Sequence, residues 1–313
     1  MNLSFFKFPG GRRVKLIELS IGVCAAVVAG IVFRFMIFIP YSVSDNSMSP
    51  TLIPGDRILT NRLVKKMTAG FWEPARGDLI VFRHPVYKET KSIKRVVAGQ
   101  NDMIEIRDKQ IIINGEPYRG FDFIRDTTIK RSPSIDPRDE FTPITIPSPG
   151  DTLVFSELSL REFDFAVSLM RQDWPNVSLE ITCHLIVDGE VIDPAYFPSV
   201  FKITLNKDKK LDLSTMSWYN LNSLLNQLRT RFPEKEIDFR RTLFREGQEV
   251  RDYVVKEPCY FVMGDNWEQS YDSRFLGYVS RKSIVSKPLL IYWSKKPNTW
   301  IKINFYRILK FIS

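Results

Sequence analysis

The chain has 313 residues, 44% of them hydrophobic and 26% charged. That leaves room for about two compact domains and excludes a mostly disordered chain, a collagen or a multi-span membrane protein. Lys and Arg outnumber Asp and Glu by 45 to 36, a net charge of +9, an excess that suits nucleic acid or an anionic membrane and is decided by where the charges lie.

Residues 1–15 carry Lys7, Arg12, Arg13 and Lys15 and no acidic residue. The run LIELSIGVCAAVVAGIVF (16–33) follows, broken only by Glu18, and after Arg34 the stretch FMIFIP (35–40) extends it to a proline. A helix crosses a bilayer with about 20 apolar residues, a length reached here with Glu18 and Arg34 near the two interfaces. Basic residues ahead of the span and few just behind it put the N-terminus in the cytoplasm and residues 41–313 on the far side. A cleaved secretory signal would have a shorter apolar region and a small-x-small exit. The exit here is bulky, Phe35 through Ile39, which favours an uncleaved anchor.

Beyond Pro40 short strands dominate. RILT (57–60) and LIVF (79–82) are each entered through Gly-Asp, and MIEIR (103–107) with QIII (110–113) reads as a hairpin that Asn114-Gly115 then turns. Residues 121–150, rich in Pro, Asp and Arg, read as an extended loop. A helix is expected over 157–172, a strand over 179–187 ending at Asp188-Gly189, and a second helix over 216–232. In that second helix Trp218, Leu221, Leu224, Leu225, Leu228 and Phe232 follow the 3.6-residue period of a core-packed face. Near the end, Ile301, Phe305, Ile308, Leu309 and Ile312 share one face of a short basic amphipathic helix. Such a helix either lies on lipid or packs back on its own domain.

Three segments carry polar residues in a pattern that chemistry would need: SVSDNSMSPTLIPGDRI (42–58), ARGDLIVFRHP (75–85) with SIKRVVAGQND (92–102), and YFVMGDNWEQSYDSRFLGYVS (260–280). Alone, a loop serine is a solvated hydroxyl, Lys94 a strand lysine, Gly264-Asp265-Asn266 a turn, and Asp272 with Arg274 a surface ion pair. Together, in this order and right after a single span, they resemble the bacterial type I signal peptidases, membrane-anchored serine proteases of peptidase family S26 that use a Ser-Lys dyad. The likeness rests on Ser47 through Asp56, on Lys94-Arg95, and on Gly264, Asp265, Asn266, Ser270, Asp272, Ser273, Arg274 and Gly277. Residues 103–256 share only a general likeness to the family's variable second β-domain.

The resemblance implies a mainly β fold: an antiparallel β catalytic core with a larger inserted α+β subdomain, preceded by one N-terminal transmembrane helix. Residues 1–40 would be the cytoplasmic tail and anchor, 41–115 and 257–294 the two parts of the catalytic domain, 116–256 the insertion, and 295–313 the C-terminal basic amphipathic helix. It further implies signal peptides of exported preproteins as substrates, cut after small-x-small motifs, and a bacterial cytoplasmic membrane as location. Lipid would be a partner, with no nucleic acid, cofactor or metal. The positive charge concentrates at the membrane-proximal N-terminus instead of forming a nucleic-acid stripe. Cys24, Cys183 and Cys259 lack metal-type spacing, and two histidines, His84 and His184, exclude a polyhistidine site.

A serine attacks a peptide carbonyl only if a neighbouring base takes its proton. Lysine serves once its pKa, about 10.4 when free, falls toward the working pH, as burial makes it do. Lys94 stands among Ile93, Val96, Val97 and Ala98, a dry setting. By the resemblance Ser47 is the nucleophile and Lys94 the general base. Ser270 orients the amine, and Asp272 and Arg274 form an ion pair holding the last segment against the first.

The chain departs from the family just ahead of Ser47, where Asp45-Asn46 replaces Ser-Gly. A carboxylate cannot donate to the oxyanion and would repel it. The Asn46 amide is the expected replacement donor, beside the Ser47 N–H. Trp267, Glu268 and Gln269 replace a commoner Arg-Asp-Asn. Two other readings stay open: an impaired member that binds preproteins without cutting, and a Ser-Lys self-cleaving regulator, which the span and the lack of a DNA-reading motif disfavour. Cys183 and Cys259 either pair in an oxidising compartment or stay as buried thiols.

Overall fold

A computed structural model describes residues 6–7, 13–14, 22–28, 30, 38–62, 72–87, 89–124, 137–192, 212–296 and 303–312. Strand β1 (Phe6–Lys7) pairs antiparallel with β2 (Arg13–Val14). Residues 22–28 and 30 are helical. The rest of the expected span over 16–33 lies outside the described residues, and no helix among the described residues is long and apolar enough to cross a membrane.

The expected extension of that span through Pro40 is corrected. Phe38–Ser42 is strand β3, antiparallel to β4 (Asp56–Asn61), with Phe38 opposite Asn61 and Ser42 opposite Arg57. Its backbone groups are used in pairing, and Thr60 Oγ1 also donates to Ile39 O at 3.0 Å. Pro40, lacking an N–H, is tolerated because β3 is an edge strand.

The hairpin of β5 (Leu79–Arg83) and β6 (Lys91–Ala98) follows. Next come β7 (Met103–Arg107), β8 (Gln110–Ile113) and β9 (Glu116–Pro117), with β10 (Phe141–Thr145) on the free side of β7. Asp108-Lys109 turns β7 into β8 and Asn114-Gly115 turns β8 into β9. All four of these residues have positive φ, from 49° to 83°, the conformation that matches the twist of paired strands. Ile104, Ile106, Ile111 and Ile113 point from β7 and β8 into the largest core.

After β11 (Thr152–Val154) comes α1 (Leu160–Asp173), opened by Ser159, whose side chain accepts from Glu162 N while the Glu162 carboxylate accepts from Ser159 N. Then follow β12 (Leu179–Val187), β13 (Glu190–Ile192), α2 (Trp218–Arg231), β14 (Ile237–Arg245), β15 (Gln248–Val250) and β16 (Asp252–Val254). The apolar stripe of α2, Leu221, Leu225 and Leu228, packs on Leu185 and Val187 of β12 and on Ile237 and Phe239 of β14.

The chain closes with β17 (Cys259–Met263), α3 (Ser273–Leu276), β18 (Val279–Ser280), β19 (Ile284–Ser294) and β20 (Lys310–Phe311). One sheet takes strands from both ends of the described chain in the order β18-β17-β6-β5-β19-β4-β3, with β20 also on β19. The first and last sequence segments therefore meet.

The C-terminal amphipathic helix expected over 295–313 is also corrected. Among the described residues, 303–312 form a single 3-10 turn, Phe305–Arg307, and then β20, which places Phe311 opposite Leu290. Leu309 has a φ of 63°, which an α-helix cannot accommodate, and its N–H donates to Ile291 O. Cys183 and Cys259 are buried free thiols, with burial pushing them up to about 11 and about 12.

Candidate active site

The loop between β3 and β4 carries Ser47. It is tied by Gly55 N to Val43 O at 3.0 Å, Leu52 N to Met48 O at 2.9 Å and Ser49 N to Asn46 O at 3.0 Å. Met48 and Leu52 sink into a small core with Val43, Ile58, Leu79 and Ile291. The apolar residues on either side of Pro50 thus peg the loop, and Ser47 is left only 5% exposed at its surface.

Lys94 stands on β6 opposite Ile80 of β5 and is likewise 5% exposed. Its Nζ is hydrogen-bonded to Ser47 Oγ at 2.6 Å. Burial depresses the Lys94 pKa because water no longer solvates the ammonium. Asp272 and Asp45 pull it up, Arg274 pushes it down, and burial prevails. Among the described residues this pairs a buried hydroxyl with an amine whose pKa is lowered.

The last segment packs against Ser47 through its backbone. Asn266 N donates to Ser47 O at 3.0 Å, and Gly264 lies so close that a Cβ there would collide with Ser47 O and the Ser270 side chain. Ser270 is buried beside Asp272, whose carboxyl its side chain helps hold low, and no hydrogen bond joins its Oγ to Lys94. The structure therefore brings Ser270 to the site without joining it to the amine.

Asp272 and Arg274 are fully buried and bidentate, Nε to Oδ1 at 2.8 Å and Nη2 to Oδ2 at 2.9 Å. Burial would raise the Asp272 carboxyl, but the Arg274 charge and hydrogen bonds hold it below the ordinary carboxylate value. Asp272 also accepts Gly264 N at 3.0 Å, and Arg274 donates to Trp267 O at 2.9 Å. The pair therefore fastens the last segment to itself. The link to β6 is a different one: Arg95, the neighbour of Lys94, makes a bidentate pair with Asp265, both bonds at 2.8 Å. Arg95 also donates to Gly77 O at 2.7 Å.

Asp45 and Asn46 are both exposed. Asp45 Oδ1 accepts the Ser47 N–H at 2.8 Å. Burial alone would raise the Asp45 carboxyl, but hydrogen bonds from the Ser47 side chain and backbone, with the charge of Lys94, hold it low. The backbone donor expected to face the oxyanion is thus occupied by a carboxylate. His84 is buried, and its Nδ1 accepts Val86 N at 3.2 Å and Tyr87 N at 3.1 Å. Burial and Lys94 hold its pKa down, so it is a neutral structural imidazole. His184 is exposed on β12.

Sequence reasoning missed the Arg95–Asp265 pair and the cation on Asp56, the first residue of β4, where the Ser47 loop ends. Asp56 is fully buried and is paired with Arg307 at 2.7 Å. Trp267, read only as a departure, is fully buried, with Nε1 donating to Arg138 O at 2.8 Å.

The family described as "Signal peptidase, peptidase S26" matches residues 15–157 and 184–293. A signal peptidase I from Aquifex aeolicus (strain VF5) is 29% identical over 91% of this chain and 85% of its own. Another from Buchnera aphidicola subsp. Acyrthosiphon pisum (strain APS) is 26% identical over 87% of this chain and 75% of its own. A solved signal peptidase I structure from Enterococcus faecalis V583 is 16% identical, covering 69% of this chain and 97% of its own, with a TM-score of 0.23.

Proposed function

We propose, since the chain belongs to the signal peptidase, peptidase S26 family, that it is a serine endopeptidase which removes N-terminal signal peptides from exported preproteins by Ser47-Lys94 chemistry. The observation that carries this reading is the 2.6 Å contact between Lys94 Nζ and Ser47 Oγ, both groups shielded from water. The neutral amine takes the hydroxyl proton as Oγ attacks the scissile carbonyl carbon. When the C–N bond breaks, Lys94 returns the proton to the leaving amine, and Ser47 holds the acyl group. Water, deprotonated by the same amine, then hydrolyses the ester.

The substrate is an extended segment with small residues at the small-x-small positions, added beside an enzyme strand by main-chain hydrogen bonds. A helix over 16–33 anchors the chain in the bacterial cytoplasmic membrane, its N-terminus cytoplasmic and its catalytic domain outside. That topology keeps Ser47, which follows the membrane-proximal strand β3 by five residues (47 against Ser42), near the lipid surface. Asp272 and Arg274 hold the last segment in shape, and Ser270 orients the amine when substrate displaces it. Asn46 contributes an amide to the oxyanion.

The reading is tested by cleavage of a preprotein with an Ala-x-Ala site in detergent. Wild type cuts; Ser47→Ala and Lys94→Met fall to background. Undiminished cleavage by either variant overturns the dyad. One observation favours a second reading, a family member that binds preproteins without cutting: the Asp45 carboxylate on the Ser47 N–H. In that case wild type matches Ser47→Ala while still binding the peptide.

A further inference from the structure

The family match ends at residue 293, yet the described segment 303–312 reaches back to the Ser47 loop. Arg307 donates from Nη2 to Thr51 O at 2.7 Å and from Nη1 to Pro50 O at 3.2 Å. The same guanidinium pairs with Asp56, Nη2 to Oδ2 at 2.7 Å and Nε to Oδ1 at 3.1 Å. Asp56 is the hub at the end of this loop: its carboxylate also accepts Ile53 N at 3.0 Å and Ser294 Oγ at 2.6 Å. Arg307 therefore spans the loop, from the carbonyls just after the nucleophile to the carboxylate that closes it.

A second contact is independent of charge. Ile312 packs on the small core that holds Met48 and Leu52, and its N–H donates to Leu289 O at 2.8 Å. Leu309 N bonds Ile291 O at 2.7 Å and Asn304 N bonds Ser294 O at 2.9 Å, so the segment is stitched to β19 along its length. Its other large side chains point away from that contact: Tyr306 is 99% exposed and Phe305, Leu309 and Phe311 are exposed too. Inward-facing Arg307 and Ile312 are thus what the segment offers the loop.

We propose that residues 303–312 form a C-terminal strap in which Arg307 is a positioning residue, holding the Ser47 loop in register with Lys94. The proposal rests on the Ser-Lys reading only for its effect on rate. A planar guanidinium can bridge a carboxylate and two carbonyls at once, whereas an ammonium offers one compact head. A nucleophile shifted by about an ångström loses about 100-fold in rate, so the strap acts on kcat.

The test compares the full-length chain with Arg307→Met, Arg307→Lys and the double variant Asp56→Asn/Arg307→Met. Hydrogen exchange across residues 43–56 and steady-state cleavage are measured on each. Arg307→Met is expected to lower kcat by about 100-fold with KM changed by less than about twofold, and to speed exchange of the Leu52 and Gly55 amides. Arg307→Lys falls between Met and wild type. Arg307→Met leaves a buried carboxylate without its cation, which by itself destabilises; the double variant removes that charge and restores the melting temperature.

If the double variant remains slow and its loop exchanges fast, Arg307 positions the loop. If it regains wild-type kcat, or if exchange is unchanged in Arg307→Met, Arg307 only neutralises Asp56 and the proposal fails. Exchange needs no turnover, so it decides the strap even if wild type cleaves no preprotein, an outcome that would sink the proposed function instead.

Discussion

Replacing Asp45 with serine should make the protein faster, an unusual direction for a change beside a nucleophile. Ser47 N–H donates to Asp45 Oδ1 at 2.8 Å, and an oxyanion would need that same donor at about 2.7–3.1 Å. Before the donor can serve the substrate, the carboxylate has to leave. A hydrogen bond to a charged acceptor contributes about 1.5–3 kcal/mol, which on a barrier is about 10- to 150-fold in rate. Asp45 is exposed and water weakens the contact, so the expectation for Asp45→Ser is the lower end, about a tenfold rise in kcat/KM. Asp45→Asn keeps a weaker, neutral acceptor and should lie between the two. A second readout is independent of the oxyanion. The Asp45 charge pulls the Lys94 pKa up, so removing it favours the neutral amine and moves the rising limb of the pH–rate profile toward lower pH. Initial rates on a quenched-fluorescence peptide across that limb supply both numbers. An Asp45→Ser protein no faster than wild type, with the limb unmoved, would refute the competition argued here.

Because burial depresses the Lys94 pKa, kcat/KM in wild type should rise with pH below the range where a free lysine titrates; a rate independent of pH from acid to alkaline conditions would remove the amine as base. The sign of the linked stability effect follows. The unfolded chain holds the Lys94 proton up to higher pH than the folded one, so acidification through the folded pKa destabilises, and thermal melts should show Lys94→Met losing less stability than wild type as pH falls. Gly264→Ala should lower stability by about 1–3 kcal/mol and kcat by about 100-fold, because its Cβ meets Ser47 O and the Ser270 side chain; a fully active Gly264→Ala enzyme would show that this approach does not fix the nucleophile.

Elements whose pattern is local were readable. The α2 stripe, the alternation through β7 and β8, and the turns at Asn114-Gly115 and Asp188-Gly189 are short-range signals, and the structure has each of them. The C-terminal segment misled for the same reason that α2 did not. Its apolar residues also recur at helical spacing, but in α2 that face meets β12 and β14. In 303–312, Phe305, Leu309 and Phe311 face solvent, while Arg307 is drawn inward by a carboxylate 251 residues away. Periodicity reports that a face exists, and only the partner decides whether the face is used. Phe38-Ile39 misled in a related way: an apolar run abutting a span reads as more span, unless the strand that will pair with it is known.

At the site, what could be read was which side chains to bring together; what could not be read was the framework that sets their distance. Ser47 and Lys94 sit in recognisable contexts, and Asp45 was legible as a missing donor, although a carboxylate two residues ahead of an N–H commonly accepts it. The Arg95–Asp265 and Arg307–Asp56 pairs bridge 170 and 251 residues. A sequence records that these residues are charged, and the default for a charged residue is the surface, where an ion pair contributes little. Burial reverses that default, since removing one partner leaves an uncompensated charge away from water and costs about 3–5 kcal/mol. Asp265 and Asp56 are fully buried, so each must keep its arginine, and each arginine comes from a different part of the chain. The 2.6 Å between Lys94 and Ser47 is therefore held from two sides by obligations that arise only on folding: Arg95–Asp265 locks β6 to the last segment, and Arg307–Asp56 locks the nucleophile loop to the strap.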